Sequence, residues 1–90
     1  MPRHFVYILE CSDGSLYTGY TTDPYRRLAE HNSGKGSRYT SRRRPVRLAY
    51  LEELGGRGEA LSREIRIKRM QRRAKLSLCR SQRAPSQSRG

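Results

Sequence analysis

The sequence has no tryptophan, one phenylalanine, two cysteines and few acidic residues. Cys11 and Cys79 are far apart and do not suggest a disulfide framework. With only two histidines beside them, they do not provide the four close ligands of a structural zinc site. Long apolar runs are also missing, because no segment approaches the roughly 20 residues that span a bilayer. The first apolar run soon meets acidic residues, which argues against a signal peptide. These absences predict a reduced, cytoplasmic protein.

Positive charge is what the chain has in excess. Twenty Lys and Arg residues stand against eight Asp and Glu residues, which gives a formal net charge of +12. Such an excess repels itself and indicates a polyanionic partner. A membrane surface is the weaker candidate, because the basic residues lack an opposite face rich in Trp, Phe or Leu. The composition therefore predicts a nucleic-acid partner and no membrane partner.

The residue pattern predicts one small α+β domain over residues 1–79, with element order β-β-α-β-α-α, and a disordered basic tail over residues 80–90. Strands are predicted at 4–10, 16–22 and 46–53, and helices at 24–33, 59–70 and 72–78. Asp23 followed by Pro24 is typical of a helix start, and Gly34 of a left-handed helix end. Residues 34–45 are predicted to form a loop and a basic hinge. Tyr25 and Tyr50 are predicted to be core aromatics.

Glu64 does not fit the apolar face of its predicted helix. With Ala60 taken as 0°, Glu64 falls at about 40°, between Ala60 and Leu61, so its carboxylate points toward the apolar stripe. A buried carboxylate needs a cation or hydrogen-bond donors. One alternative is an ion pair with Lys68, four residues later on the same helix, which helix geometry alone favours. The other is that Glu64 ligates a divalent metal.

Arg27 and His31 lie four residues apart on one edge of the first predicted helix. Taken as a pair, they are typical of a solvated helix face. His31 is nonetheless able to exchange a proton near neutral pH, and Arg27 offers a planar charged fork for phosphate. The pair therefore stays a candidate for catalysis.

Arg27, His31 and Glu64 form an ordered set with two tyrosine-containing motifs that precede them in the sequence. Val6-Tyr7-Ile8 precedes Tyr17-Thr18-Gly19, with ten residues from Tyr7 to Tyr17; Arg27 follows, then His31, then Glu64. The set resembles the GIY-YIG nuclease superfamily. The longer pattern YxGxTxD…RRLxEHN…GKGxxYT…RRPVxLxYxE…REIxIK resembles the small stand-alone GIY-YIG proteins of bacteria, over residues 4–78.

The resemblance implies a GIY-YIG domain with a central three-stranded antiparallel sheet flanked by helices. It also implies an endonuclease that hydrolyses phosphodiester bonds in DNA with one divalent metal, Mg²⁺ or Mn²⁺, and that acts in repair or on particular DNA structures. Glu64 would hold the metal, and Arg27 would contact the phosphoryl oxygens. Tyr17 would activate or orient the attacking water with help from His31, and Tyr7 would complete that network.

Two positions depart from the family pattern. Phe5 replaces the Gly of the first signature, and Tyr20 stands where some relatives carry Lys. These departures predict weak turnover or the need for a partner. Tyr7 and Tyr17 can share one face of the sheet only if the hairpin loop has an odd number of residues. We therefore predict a loop of three or five residues, with Gly14 or a neighbour in a bulge.

Substrate contacts are predicted on two basic surfaces and at one glycine. The surfaces are the basic loop, residues 35–47, and the basic helix segment, residues 66–75, which are suited to phosphate contacts without base readout. Gly19 would let the backbone approach the substrate. The residues predicted to contact nucleic acid are Gly19, Lys35, Arg38, Arg42, Arg43, Arg44, Lys68 and Arg69.

Two other functions would explain the composition. One is a non-catalytic nucleic-acid-binding module that keeps the fold and does not need Glu64 or His31. The other is a basic protein associated with ribosomes or RNA, which composition alone supports. DNA is favoured over RNA as the partner.

Overall fold

The computed structural model describes residues 2–88 of the chain, and their side chains as far as residue 82. Three strands, β1 (His4–Glu10), β2 (Leu16–Thr21) and β3 (Arg47–Leu54), form an antiparallel sheet in the order β2-β1-β3. The helices are α1 (Pro24–Asn32), α2 (Arg38–Ser41), α3 (Arg57–Lys68) and α4 (Arg72–Ser88). The predicted α+β class with a central three-stranded antiparallel sheet is confirmed. Among residues 2–88, no helix has the length and apolarity to cross a membrane.

The central strand β1 is buried on both faces of the sheet, because successive side chains of a strand point to opposite faces. The core on one face contains Val6, Ile8, Ala49, Tyr50, Ala60, Ile67 and Cys79, so α3 and α4 cover this face. The core on the other face contains Tyr7, Leu9, Cys11 and Val46, with Leu28 of α1 packed against them. Helices α1 and α3 therefore lie on opposite faces.

The hairpin between β1 and β2 has the predicted odd loop. Five residues separate the two strands, from Cys11 to Ser15. The Cys11 N–H donates to the Ser15 carbonyl at 2.9 Å, and Gly14 adopts a left-handed φ of 86°. The resulting register places Tyr7 and Tyr17 on the same face of the sheet. The hairpin thus brings both tyrosines to the face that α1 covers.

Helix α1 begins where the sequence predicted. The Arg26 N–H donates to the Asp23 side chain at 3.2 Å, and Pro24 occupies the first turn. Gly34 follows the helix with φ 90°, as expected of a left-handed helix end. Helix α3 spans 57–68 instead of the predicted 59–70.

Helix α2 was not predicted, because residues 38–41 were assigned to a loop. A helix of four residues is too short to produce a periodic apolar pattern. Its start is stabilised locally, since the Thr40 N–H donates to the Ser37 hydroxyl at 3.1 Å. The observed element order is therefore β-β-α-α-β-α-α.

Helix α4 runs from Arg72 to Ser88, so it extends beyond the predicted helix end at residue 78. The Gln82 amide lies against β3, where it accepts from the Leu51 N–H at 2.9 Å and donates to the Leu51 carbonyl at 2.6 Å. The composition of the tail could not reveal this contact with the sheet. Met1, Arg89 and Gly90 lie outside the described residues.

Candidate active site

Tyr7 and His31 form a buried hydrogen-bonded pair between β1 and α1. The Tyr7 side chain lies on the α1 face of the sheet, and His31 is fully buried in the last turn of α1. Their atoms Tyr7 Oη and His31 Nε2 are 3.0 Å apart. The other ring nitrogen, His31 Nδ1, lies 2.7 Å from Thr40 Oγ1. A phenol and an imidazole in direct contact can pass a proton between them.

Gly19 on β2 makes room for the Tyr7 ring. A Cβ atom at Gly19 would lie 2.4 Å from Tyr7 Oη and 2.5 Å from Tyr7 Cζ. Gly19 is itself buried. The sequence had suggested that Gly19 lies on an accessible binding surface, and the structure does not place it there. The absence of a side chain at Gly19 leaves room for the Tyr7 ring.

Tyr17 borders the same histidine without a hydrogen bond to it. The Tyr17 and His31 ring centroids are 5.2 Å apart in an edge-on arrangement, and Tyr17 stacks on Tyr39 at 6.0 Å. Among the described residues, the Tyr17 hydroxyl has no hydrogen-bond partner. The structure therefore shows no hydrogen bond through which His31 would assist Tyr17, because the Tyr7 hydroxyl is the group that contacts His31 Nε2.

Arg27 lies one helical turn before His31 and is held from two sides. Its Nη1 donates to Glu30 Oε1 at 2.9 Å, and its Nη2 donates to the Gly36 carbonyl at 2.8 Å. Arg27 and Glu30 also line a depression of about 180 Å³ at the start of α1. The guanidinium is therefore fixed at the wall of a small polar opening.

The pKa of Tyr7 shows which charged groups surround it. Burial raises the pKa of the Tyr7 hydroxyl, and the Arg27 guanidinium opposes this effect. Tyr17 and Glu64 add smaller contributions that raise the pKa further. Glu64 of α3 contributes although α3 packs on the opposite face of the sheet. Direct contacts link Tyr7, Tyr17 and His31, and Arg27 lies beside Tyr7. Among the described residues, Glu64 makes no hydrogen bond with these four side chains and pairs with Lys68.

Glu64 forms the ion pair with Lys68 that helix geometry favoured. Its side chain is only 17% exposed, as the position near the apolar stripe implied, and Lys68 Nζ lies 3.1 Å from Glu64 Oε2. Among residues 2–88, no cluster of three or more His, Cys, Asp or Glu side chains is arranged to hold a metal. A single carboxylate still fits Mg²⁺, which keeps several waters and binds substrate phosphates as further ligands. Glu64 fits a metal site that the substrate completes.

The predicted nucleic-acid contacts fall into two groups. Arg43 holds the loop structure, because its Nε donates to Asp13 Oδ2 at 3.0 Å and its Nη1 to the Tyr39 carbonyl at 2.9 Å. Arg44 Nε donates to the Ser41 carbonyl at 2.9 Å. The other predicted cations are exposed: Lys35, Arg38, Arg42, Lys68 and Arg69. Of these five, only Lys68 has a side-chain partner among the described residues.

Two sequence expectations concerned the remaining tyrosines. Tyr50 is 8% exposed and its hydroxyl donates to Glu52 Oε1 at 2.7 Å, so its assignment to the core is confirmed. Tyr25 is 69% exposed, so its assignment to the core is wrong. The buried face of α1 contains Pro24 and His31 instead.

Sequence reasoning missed two residues that contact His31. Thr40 is fully buried against His31 Nδ1. Gly36 also packs closely against the ring, since a Cβ there would be 2.1 Å from His31 Nδ1. Both belong to the GKGxxYT run, which was the available signal. Only the fold shows that this run turns back over the histidine.

Because His31 is buried, its contribution to the stability of the protein depends on pH. Loss of solvation lowers the pKa of His31 from its ordinary 6.5, and Arg27 adds to this effect while Glu30 opposes it. Because the folded protein binds this proton less readily than the unfolded chain, the stability linked to neutral His31 is complete above about pH 6.5 and is lost as the pH falls through the lowered pKa.

We therefore expect the free energy of unfolding to decrease as the pH is lowered from about 7 to about 5, with a flatter profile in the His31→Gln variant. Urea unfolding at several pH values measures both slopes. Equal slopes in the two proteins would show that His31 does not titrate in this range.

The comparisons with known proteins agree with this geometry. The model of the family described as the GIY-YIG catalytic domain matches residues 3–77. The chain belongs to the GIY-YIG family. Membership supports a nuclease-type function and implies a nucleic-acid substrate.

Relatives of similar length within the GIY-YIG family include proteins named UPF0213. The chain is 51% identical to one from Staphylococcus haemolyticus over 78 residues, which cover 87% of this chain and 95% of the relative. It is 53% identical to one from Halobacterium salinarum over 75 residues, with 83% and 97% coverage. The solution structure of a UPF0213 protein from Bacillus halodurans matches with a TM-score of 0.61 and 46% identity, covering 93% of this chain and 89% of that one. The match therefore covers most of each relative's own length.

Proposed function

We propose that this protein is a metal-dependent endonuclease that hydrolyses phosphodiester bonds in DNA, directed to particular DNA structures or to repair intermediates, and that it acts in the cytoplasm. The observation that carries the proposal is the buried Tyr7–His31 hydrogen bond with the charges of Arg27 and Glu64 around it. A basic binding protein needs no such group.

Tyr7 and His31 are suited to remove a proton from water. With its lowered pKa, His31 is neutral at pH 7 and its Nε2 accepts from the Tyr7 hydroxyl. A water that loses a proton to Tyr7, while Tyr7 passes its own proton to His31, leaves hydroxide to attack phosphorus. Tyr17, whose hydroxyl has no partner among the described residues, is available to orient that water. This assignment replaces the predicted one, in which Tyr17 worked with His31.

Arg27 and Glu64 act on the phosphate of the phosphodiester bond that is cut. The Arg27 guanidinium, held by Glu30 and the Gly36 carbonyl, stabilises negative charge that builds on the phosphoryl oxygens. Glu64 is the residue that would hold Mg²⁺ or Mn²⁺. When bound, such an ion neutralises charge at the phosphate and at the leaving oxygen.

The exposed cations of the two basic surfaces hold the substrate. Lys35, Arg38 and Arg42 of the basic loop have no side-chain partner among the described residues, so they are available for phosphate oxygens. Lys68 and Arg69 extend this charge onto the basic helix segment. Binding through phosphates weakens with rising salt concentration and reads DNA shape more than base sequence.

Tyr7→Phe tests the proposal directly. We expect the wild-type protein to cut branched, nicked or single-stranded DNA in the presence of Mg²⁺ or Mn²⁺. Loss of the Tyr7 hydroxyl should reduce the cleavage rate by about 10²–10⁴-fold, the range for general acid–base catalysis, because the proton relay is broken. Cleavage under single-turnover conditions and binding by gel shift measure the two functions separately.

Tyr25→Phe is the matched control, since Tyr25 is an exposed tyrosine. It should cut at the wild-type rate. If Tyr7→Phe also cuts at the wild-type rate, the proposed mechanism is wrong.

A non-catalytic nucleic-acid-binding module is the second candidate. It is favoured by the Glu64–Lys68 ion pair, which satisfies the carboxylate without a metal. This candidate predicts that wild-type protein binds the DNA panel and cuts none of it with either ion.

A further inference from the structure

We propose that Thr40 is a positioning residue that fixes the tautomer and the ring orientation of His31, so that His31 Nε2 is held as the proton acceptor for Tyr7. The inference concerns how the proposed nuclease site is prepared, and it rests on the proposed function only for its effect on cleavage. The evidence is a chain of buried hydrogen bonds that runs from Ser37 through Thr40 and His31 to Tyr7.

The Tyr7 hydroxyl defines one end of the chain. It has one proton to donate and is 3.0 Å from His31 Nε2. The Arg27 guanidinium beside it is only a donor and cannot accept that proton, and the Tyr17 hydroxyl makes no hydrogen bond with it among the described residues. Because a buried hydroxyl needs an acceptor, His31 Nε2 carries the lone pair. In the neutral ring, the proton then resides on Nδ1.

Thr40 completes the arrangement at the other ring nitrogen. Its Oγ1 lies 2.7 Å from His31 Nδ1 and accepts the Nδ1–H. The Thr40 hydroxyl can donate its own proton to the Ser37 carbonyl at 3.4 Å, and the Ser37 hydroxyl lies 2.9 Å from Thr40 Oγ1 as a further donor. Every proton in the chain therefore has an acceptor when Nδ1 is protonated. The opposite tautomer would leave the Tyr7 proton without one.

The fold holds Thr40 in place. Thr40 is fully buried in α2, the helix that begins at Ser37. Two exposed cations, Lys35 and Arg38, lie on either side of that start. The segment proposed to contact the substrate phosphates is thus the segment that contacts the histidine. In a site that passes protons, orientation of this kind sets the fraction of molecules ready to react.

The test compares Thr40→Val, which keeps the shape and removes the hydroxyl, with Thr40→Ser, which keeps the hydroxyl. Nitrogen-15 NMR of the His31 ring reports the tautomer and its titration without any substrate. In the wild-type protein we expect the Nδ1–H form. In Thr40→Val we expect a mixture of tautomers and a further decrease in the pKa of His31, because the imidazolium loses the acceptor of its Nδ1–H.

Cleavage provides the second measurement. Thr40→Val should lower kcat by about 10–100-fold, the range seen when a group that orients a histidine is removed. The acidic limb of its pH–rate profile should move with the NMR titration, and Thr40→Ser should restore both. A merely structural role would lower stability without moving the tautomer or the pH profile.

The outcomes separate this inference from the proposed function. An Nε2–H tautomer in the wild-type protein overturns the inference, even if Thr40→Val does not fold. An unchanged tautomer and unchanged kcat in Thr40→Val overturn it as well. A tautomer change in a protein that cuts no DNA supports the role of Thr40 and rejects the nuclease.

Discussion

Glu64→Gln is expected to abolish metal-dependent cleavage, with a loss of at least about 10²–10³-fold, while DNA binding persists. Glutamine keeps the size of the side chain and lacks the charge that a hard cation requires. Because Glu64 is 17% exposed and its charge reaches Tyr7, the loss should appear in kcat and in the dependence on Mg²⁺ concentration. Single-turnover cleavage across a metal titration measures both.

Lys68→Gln is the control for the ion pair. It removes the same Lys68–Glu64 contact and leaves the carboxylate. Since Lys68 is also proposed to contact DNA, we expect weaker binding in this variant and an unchanged kcat at saturating DNA. The ion pair is worth only about 0.3–0.5 kcal/mol, so neither variant should lose much stability. If both variants lose kcat equally, Glu64 acts through the ion pair and not through a metal.

Gly36→Ala is expected to destabilise the protein by about 1–3 kcal/mol or more and to stop cleavage. The added Cβ would lie 2.1 Å from His31 Nδ1 and 2.7 Å from the His31 Cα. The second contact is with backbone, so rotation of a side chain cannot relieve it. The shift would also move the carbonyl that holds Arg27. Urea unfolding and single-turnover cleavage measure the two effects.

Gly58→Ala is the matched control within α3. A Cβ there meets nothing within 4 Å and its φ is not in the left-handed region, so we expect a gain of about 0.4–1 kcal/mol. Wild-type stability in Gly36→Ala would contradict the close packing of Gly36 on His31.

The sequence predicted the sheet and α1, because each has a strong local signal. Aromatic and β-branched residues marked β1, apolar alternation marked β3, and Asp23-Pro24 marked the helix start. The odd hairpin loop followed from the requirement that Tyr7 and Tyr17 share one face of the sheet, which the observed register satisfies. Helix α2 was missed because its stability comes from Ser37 and from the burial of Thr40, not from a repeating pattern.

The prediction for Tyr25 in α1 was wrong for a functional reason. Tyr25 was predicted to be a core aromatic, whereas in this helix His31 is buried and Arg27 is partly buried. A site that places polar groups in the interior departs from the simple rule of apolar side chains inside. Hydrophobicity therefore misplaced Tyr25, while Leu28 of the same helix does pack against the core.

The resemblance named Tyr7, Tyr17, Arg27, His31 and Glu64 as candidates, and the fold places the first four close to one another. Which tyrosine bonds the histidine depends on how β1, β2 and α1 pack together. Nothing in the spacing of the residues contains that information.

The contact between Gln82 and Leu51 has a consequence for how this small protein behaves in a crowded cell. An outer strand with unsatisfied backbone groups is a template on which another extended chain can assemble. Here one side-chain amide occupies both the donor and the acceptor of Leu51, so an incoming strand must first displace the last helix. In this way the last helix covers part of the edge at which another chain could add to the sheet.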